Sequence, residues 1–334
     1  MSDIFRNKNI LVTGGTGSIG SDIVRRILHN EPAVVRVFDN DETALFNLNQ
    51  ELRSYPNTRF LVGDVRDKER LQRAAENVDF VFHAAALKHV PLCEYNPFEA
   101  VKTNVLGTQN VIDVAMQEEV EKLITISTDK AVNPMNVMGA TKMLAERLTI
   151  SANYYRGLRR TAFSCIRFGN VLDSRGSVVP LFREQIRSGG PVTITDPDMT
   201  RFVMSIPRAV DLVLKAAEIA RGGEIFILKM NALRIGDLAD VMIEELAPFH
   251  GHDPQTIARQ ITGKRAGEKL YEELLTEDEA VNVAETQDML IVTPAENRER
   301  NSGAPKSYRS DRDAGLLTRE EIREMIRTSL PQDH

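Results

Sequence analysis

Residues Asn9 to Thr13 form a short apolar run, and the residues TGGTGSIG follow it at once. A helical pattern through Ile23, Val24, Ile27 and Leu28 comes next. A strand that runs into evenly spaced glycines and then into a helix constrains the fold more than any other feature of this chain. Glycine at such a turn removes the Cβ that would keep the backbone from a diphosphate, and the amides of the following helix then hold the negative charge. Gly14, Thr16, Gly17, Ser18, Ile19 and Gly20 are therefore candidate contacts for a dinucleotide.

The first half repeats strand and helix. Val34 to Phe38 reads as a second strand and ends in Asp39, about 20 residues after the glycines, where a carboxylate accepts hydrogen bonds from adenosine ribose hydroxyls. The same charge repels a 2′-phosphate and so favours NAD over NADP. A helix cap for the segment from Thr43 is the plainer role for Asp39. Arg59–Val62 reads as a third strand, with Asp64 and Val65 behind it; Asp64 suits an adenine amino group or a helix cap. Val78 to Phe82 reads as a fourth strand and leads to His83 and to Ala84, Ala85 and Ala86, small residues that let a flat cofactor lie close. Lys88 and His89 follow, and Asn96-Pro97 opens a helix that includes Asn104. His83 and His89 lack the companions of a metal set, so structural roles are expected for both.

Lys122 to Ile126 reads as a buried strand that delivers Thr128, Asp129 and Lys130 to its C-terminal end, the place where open α/β sheets bind ligands. Met138 and Lys142 stand four residues apart and share a helix face. Phe163 to Arg167 is a sixth strand. This alternation predicts a parallel, doubly wound sheet.

The net charge of −6 and pI near 5.7 argue against a nucleic-acid binder. Cys93 and Cys165 stand alone and are expected as buried free thiols; no metal is expected. No apolar run reaches the length of a membrane span, and the expected compartment is cytoplasmic. In the second half, helices are expected from the segment after Ser174–Pro180, over Ala209–Ala220, over Ile235–Glu245 and over Thr318–Thr328, with strands at Val192–Ile194 and Glu224–Lys229. The tail from Thr293 to Arg312 is polar and is expected to be mobile or draped over the surface.

TGGTGSIG, FHAAALKHVP, STDKAVNPMNVMGATK, FGNVLDSRGSVVPLF, DMTRFVMS and GEKL occur in this order. With them the chain resembles the extended short-chain dehydrogenase/reductases, and among these the UDP-N-acetylglucosamine 4,6-dehydratases of polysaccharide biosynthesis, from residue 8 to about 318. The resemblance implies an α/β fold: a Rossmann-type doubly wound parallel sheet with a smaller C-terminal α/β substrate-binding lobe. It places the NAD domain at residues 1–170, rejoined by about 203–230, and the UDP-sugar lobe at 171–202 and 231–334.

The resemblance also implies a reaction: oxidation at C4 of a UDP-sugar, loss of water across C5 and C6, and hydride return to C6. Thr128 would bond the C4 hydroxyl, Asp129 would protonate the leaving C6 hydroxyl, Lys130 would take the C5 proton, and Lys142 would hold the nicotinamide ribose. Lys142, as a second cation, is expected to lower the Lys130 pKa. The superfamily's Tyr-x-x-x-Lys reads here Met138-Gly139-Ala140-Thr141-Lys142, and methionine cannot take a proton. Asp129 or Lys130, directly or through a water on Thr128, is then expected to serve as the C4 base too, while the Met138 thioether packs in the helix or on the cofactor. Asn170, Arg175, Ser177, Val178, Arg201, Arg265 and Glu268 would hold the UDP, with Lys88 near the sugar or diphosphate. UDP-GlcNAc is the implied substrate and a homo-oligomer, dimer or hexamer, the implied assembly. A UDP-sugar 4-epimerase on the same scaffold is the alternative; it returns the hydride to C4.

Overall fold

In the computed structural model, residues 3–264, 267–294 and 305–329 are described. Arg265 lies outside the described residues. The main sheet takes its first six strands from the N-terminal half: β1 (Asn9–Thr13), β2 (Val34–Asp39), β3 (Thr58–Val62), β4 (Phe80–His83), β5 (Lys122–Ile126) and β6 (Ala162–Arg167). They pair in parallel in the order β3-β2-β1-β4-β5-β6. Parallel strands buried on both faces are largely apolar, and β4 and β6 are buried at every position, with His83, Ser164 and Arg167 as their polar members.

The chain order reverses between β1 and β4, which is where such sheets open a crevice. Thr13 stands beside His83, and His83 beside Thr125, so the C-terminal ends of β1, β4 and β5 lie level. The helices that cover the sheet include α1 (Ser18–Leu28), which buries Ile23, Val24 and Ile27. The helix expected to contain Asn104 is interrupted: Pro97–Ala100 runs into a π-helical stretch, Val101–Leu106, before Gly107–Gln117 resumes α-helix. Widened turns of this kind mark functional sites.

The C-terminal half supplies β7 (Asn170–Val171), β8 (Val192–Ile194), β9 (Thr200–Met204), β10 (Ile225–Leu228), β11 (Asn231–Arg234) and β12 (Arg259–Ile261). After them come β13 (Glu273–Leu275), β14 (Val283–Glu285), β15 (Met289–Val292) and β16 (Tyr308–Arg309). β7, β9 and β11 form a small sheet. A separate core gathers Phe182 and Ile186, Leu238 and Met242, and Ile322 and Ile326 from helices Val178–Arg187, Ile235–Leu246 and Arg319–Ser329.

Two expectations change here. β14 and β15, expected in the second lobe, extend the main sheet by antiparallel pairing onto β10. Of the tail, residues 295–304 lie outside the described residues, and the rest is not loose throughout: the Tyr308 hydroxyl donates to the Met230 carbonyl at 2.6 Å, and its ring packs 5.0 Å from Phe202. A buried aromatic with its polar tip satisfied anchors a polar segment that composition alone reads as loose.

Candidate functional site

Gly14 has a φ of +66°, and a Cβ there would come 2.5 Å from the Ala85 nitrogen; one at Gly20 would collide with the Gly14 carbonyl. The glycines therefore let β4 and α1 close onto the turn, besides clearing space for a ligand. α1 begins at Gly17 with no side-chain cap, which leaves its first amides open to an anion.

Asp39 stands at the end of β2. Its Oδ2 accepts from the Thr16 hydroxyl at 2.7 Å and the Thr16 amide at 3.0 Å, and its Oδ1 from the Asp41 amide at 3.2 Å. The cap of the next helix is Asp41, not Asp39. Asp64 is not a helix cap either; it pairs with Arg66 at 2.7 Å, and Asp67 caps the helix that follows.

A cavity of about 1050 Å³ runs from this turn to the small sheet. Gly14, Gly17, Ser18, Ile19 and Gly20 line one end, with Ala84, Ala86 and Lys88 beside them. Thr128, Lys130, Met138 and Lys142 line the middle. Asn170, Arg175, Ser177, Val178, Arg201 and Glu268 line the far part. Thr16, Asp39, Asp64, Val65, Ala85, Asn104 and Asp129 are not on its wall. Val65 is core, and Asn104 is a buried clamp that binds both backbone groups of Leu87 and the Thr141 hydroxyl.

The centre of the site is the turn Asp129–Ala131 after β5. The Thr128 hydroxyl donates to Asp129 Oδ1 at 2.5 Å. Lys130 Nζ reaches both Asp129 oxygens at 3.1 and 3.2 Å, Asn170 Oδ1 at 3.3 Å and Glu272 Oε1 at 3.0 Å. Asp129 is fully enclosed behind Thr128 and Lys130, its side chain 1% exposed. Burial disfavours the Asp129 charge, but Lys130 and the Thr128 hydroxyl outweigh it and hold the carboxyl below its usual range.

Lys130 corrects an expectation. Burial works to lower its pKa, yet the carboxylates of Asp129 and Glu272 raise it above the ordinary lysine value. Lys142 is not the neighbour that decides it. Lys142 donates to the Ile126 carbonyl at 2.6 Å, and its own pKa is lowered, chiefly by burial. Met138 both packs with Cys93 and Ala100 and lines the cavity.

Glu272 is the residue that the sequence did not point to. Its carboxylate meets Lys130, Arg201 Nε at 3.4 Å and the Phe202 amide at 3.3 Å. Burial first, then the Asp129 charge, push its pKa up to about 7. The GEKL motif next to it was the available signal.

In the far part, Arg201 also lies 3.7 Å from Glu268. The N-terminus of the helix Val178–Arg187 faces the cavity, and the Ser177 hydroxyl there has no partner among the described residues. Arg175 is held against the glycine turn, its amide on the Ser18 hydroxyl at 3.1 Å and its guanidinium on the Thr16 carbonyl, so it sits nearer the cofactor turn than the expected UDP role implies. Lys88 is pushed below the usual lysine range by partial burial and by the Arg175 charge. Cations that repel each other on one wall suit an anionic ligand.

His83 is a structural histidine: its ring bonds the Thr13 and Thr108 hydroxyls at 2.7 and 2.9 Å, and burial drives its pKa down to about 3. Both cysteines are buried free thiols. Among the described residues no His/Cys/Asp/Glu group could hold a metal ion, and no helix is long and apolar enough to cross a membrane.

These features fit a nicotinamide dinucleotide: uncapped α1 amides, a glycine-walled approach, and the Ser127 hydroxyl, 4% exposed, unpartnered and on the cavity wall. Known proteins resemble this chain over most of its length. A protein of Methanocaldococcus jannaschii named an uncharacterized membrane protein is 62% identical over 98% of this chain and 97% of its own length. The UDP-N-acetylglucosamine 4,6-dehydratase (inverting) of Campylobacter jejuni is 44% identical over 87% of this chain and 84% of its own length. Further relatives carry the name UDP-glucose 4-epimerase. The X-ray structure of Pen from Bacillus thuringiensis superposes with a TM-score of 0.92 at 45% identity, covering 98% of this chain and 99% of that one. With residues 10–294 matching the family described as polysaccharide biosynthesis protein, the chain belongs to that family.

Proposed function

We propose that the protein is an NAD-dependent UDP-N-acetylglucosamine 4,6-dehydratase that makes a UDP-4-keto-6-deoxy-HexNAc for surface polysaccharide or glycan biosynthesis. One observation carries this reading: a hydroxyl already donating to an enclosed carboxylate, beside a lysine, on the wall of the cavity that begins at the glycine turn. The dehydratase among the relatives supports it.

A bound nicotinamide would accept the hydride from C4 and return it to C6. Thr128 has given its own hydrogen to Asp129, so its free lone pairs accept from the C4 hydroxyl. The C4 hydroxyl proton moves along that bond to Asp129, and this relay does the work that Met138 cannot do. Asp129 then returns the proton through Thr128 to the C6 oxygen, which leaves as water. Lys130 takes the C5 proton, made acidic by the C4 ketone. Lys142 holds the nicotinamide ribose.

Arg201, Glu268, Asn170 and the amides behind Ser177 and Val178 hold the UDP. Lys88 and Arg175 stand between the two diphosphates. Asp39 selects NAD by repelling a 2′-phosphate.

The epimerase reading draws on the relatives that carry that name. Incubation with UDP-GlcNAc and mass spectrometry of the nucleotide sugar separates the two. A product lighter by one water supports the dehydratase; a product of unchanged mass supports the epimerase.

A further inference from the structure

Glu272 has no work in the scheme above, yet it touches two cations of the site, Lys130 and Arg201. Its side chain is 5% exposed and closes the pocket behind Lys130. The groups that face it are Asp129 and Lys130 from the turn after β5, Arg201 from β9, and Lys269 from its own segment; the Ser310 hydroxyl accepts from its backbone amide at 2.8 Å. Two carboxyls beside two cations in a closed space share their protons, because burial penalises every charge left without a partner.

We propose that Glu272 acts through Lys130, taking its ammonium proton once Asp129 has been neutralised, so that the lysine becomes a base only after C4 is oxidised. This rests on the dehydratase reading and deepens it.

The protons balance. At rest Lys130 is an ammonium between two carboxylates. The C4 hydroxyl proton reaches Asp129 through Thr128, and Lys130 loses one of the charges that kept it protonated. Its remaining ion pair with Glu272 is part-buried, and the Arg201 cation, 3.4 Å from the same carboxylate oxygen, repels the ammonium. Transfer of one proton from Nζ to Oε1 turns that pair into a neutral amine and a neutral acid. The amine then takes the C5 proton, and the C6 hydroxyl departs with the proton from Asp129. After the proton returns from Lys130 to C5, Glu272 gives its own back to Nζ. The net loss is one water. Burial, the largest influence on Glu272, favours its neutral form and so favours the transfer. Glu272 does not reach the substrate; it is a positioning residue for charge.

The test uses the full chain with NAD and UDP-GlcNAc, comparing wild type with Glu272→Gln and Glu272→Asp across pH. Wild-type water loss is expected to fall as pH drops below about 7, where Glu272 is already protonated. Glu272→Gln is expected to slow water loss by about 100-fold, to leave KM for UDP-GlcNAc within about threefold, to accumulate the 4-keto sugar before elimination, and to lose the acidic limb. Glu272→Asp is expected to restore that limb in part. A Glu272→Gln enzyme with wild-type kcat and pH profile overturns the proposal and leaves the dehydratase reading standing. Loss of UDP-GlcNAc binding in both variants assigns Glu272 a structural role and also overturns it. A wild-type enzyme that removes no water defeats the dehydratase reading, and this proposal with it.

Discussion

Lys130 Nζ lies 3.0 Å from Glu272 Oε1, although 142 residues separate the two in the chain. The turn after β5 supplies the lysine, and the segment leading into β13 supplies the glutamate. The candidate site is thus closed by the C-terminal half of the chain.

Thr128 has a testable part in this balance. Thr128→Val keeps the shape and removes the hydroxyl that donates to Asp129 at 2.5 Å. C4 oxidation is expected to slow by about 100-fold, with KM for UDP-GlcNAc little changed. Stopped-flow measurement of reduced-cofactor absorbance checks it. Equal slowing of oxidation and substrate binding would contradict the relay.

Glu272 predicts a pH dependence of stability. Its folded pKa is raised from 4.5 to about 7, so the stability it contributes is complete below the unfolded value and is lost as pH rises through the folded one. Glutamine stays neutral throughout. Relative to wild type, Glu272→Gln should therefore gain stability between about pH 4.5 and pH 7 and hold that gain above. Chemical denaturation of both proteins at several pH values measures it, without any substrate.

Arg167 predicts a cost in the scaffold. It is buried and pairs with Glu146 at 2.7 Å and Glu279 at 3.0 Å, and it donates to the Leu274 carbonyl at 2.8 Å. It ties the end of β6 to the helix Val137–Tyr155, which carries Lys142, and to the segment just beyond Glu272. Arg167→Ala leaves two carboxylates without their cation and should cost about 3–5 kcal/mol in denaturant unfolding. Replacing all three charged residues by neutral ones of similar volume should recover most of that loss.

The part of the fold that is local was legible in the sequence. The glycine turn, the strand ends at Asp39, His83 and Ile126, and the helix face shared by Met138 and Lys142 follow from short-range spacing, and each is where the spacing puts it. Contacts made across long separations were not legible. The Lys130 pKa was read from Lys142, twelve residues on in the same motif, when the carboxylates nearest in space are Asp129 and Glu272. Asn104 and Asp39, expected at the cofactor, stand off the cavity wall with their polar groups engaged by protein partners, which the identity of a residue does not reveal. β14 and β15 are short strands, and their place in the main sheet comes from the pairing of β15 with β10, a segment distant in the chain.

The central claim is that water is lost while the C4 hydrogen moves to C6. UDP-GlcNAc carrying deuterium at C4, incubated with the protein and NAD and followed by NMR and mass spectrometry, tests it most directly. The account predicts a product lighter by one water, with the deuterium on the C6 methyl group. A product of unchanged mass with the deuterium still on C4 would contradict it.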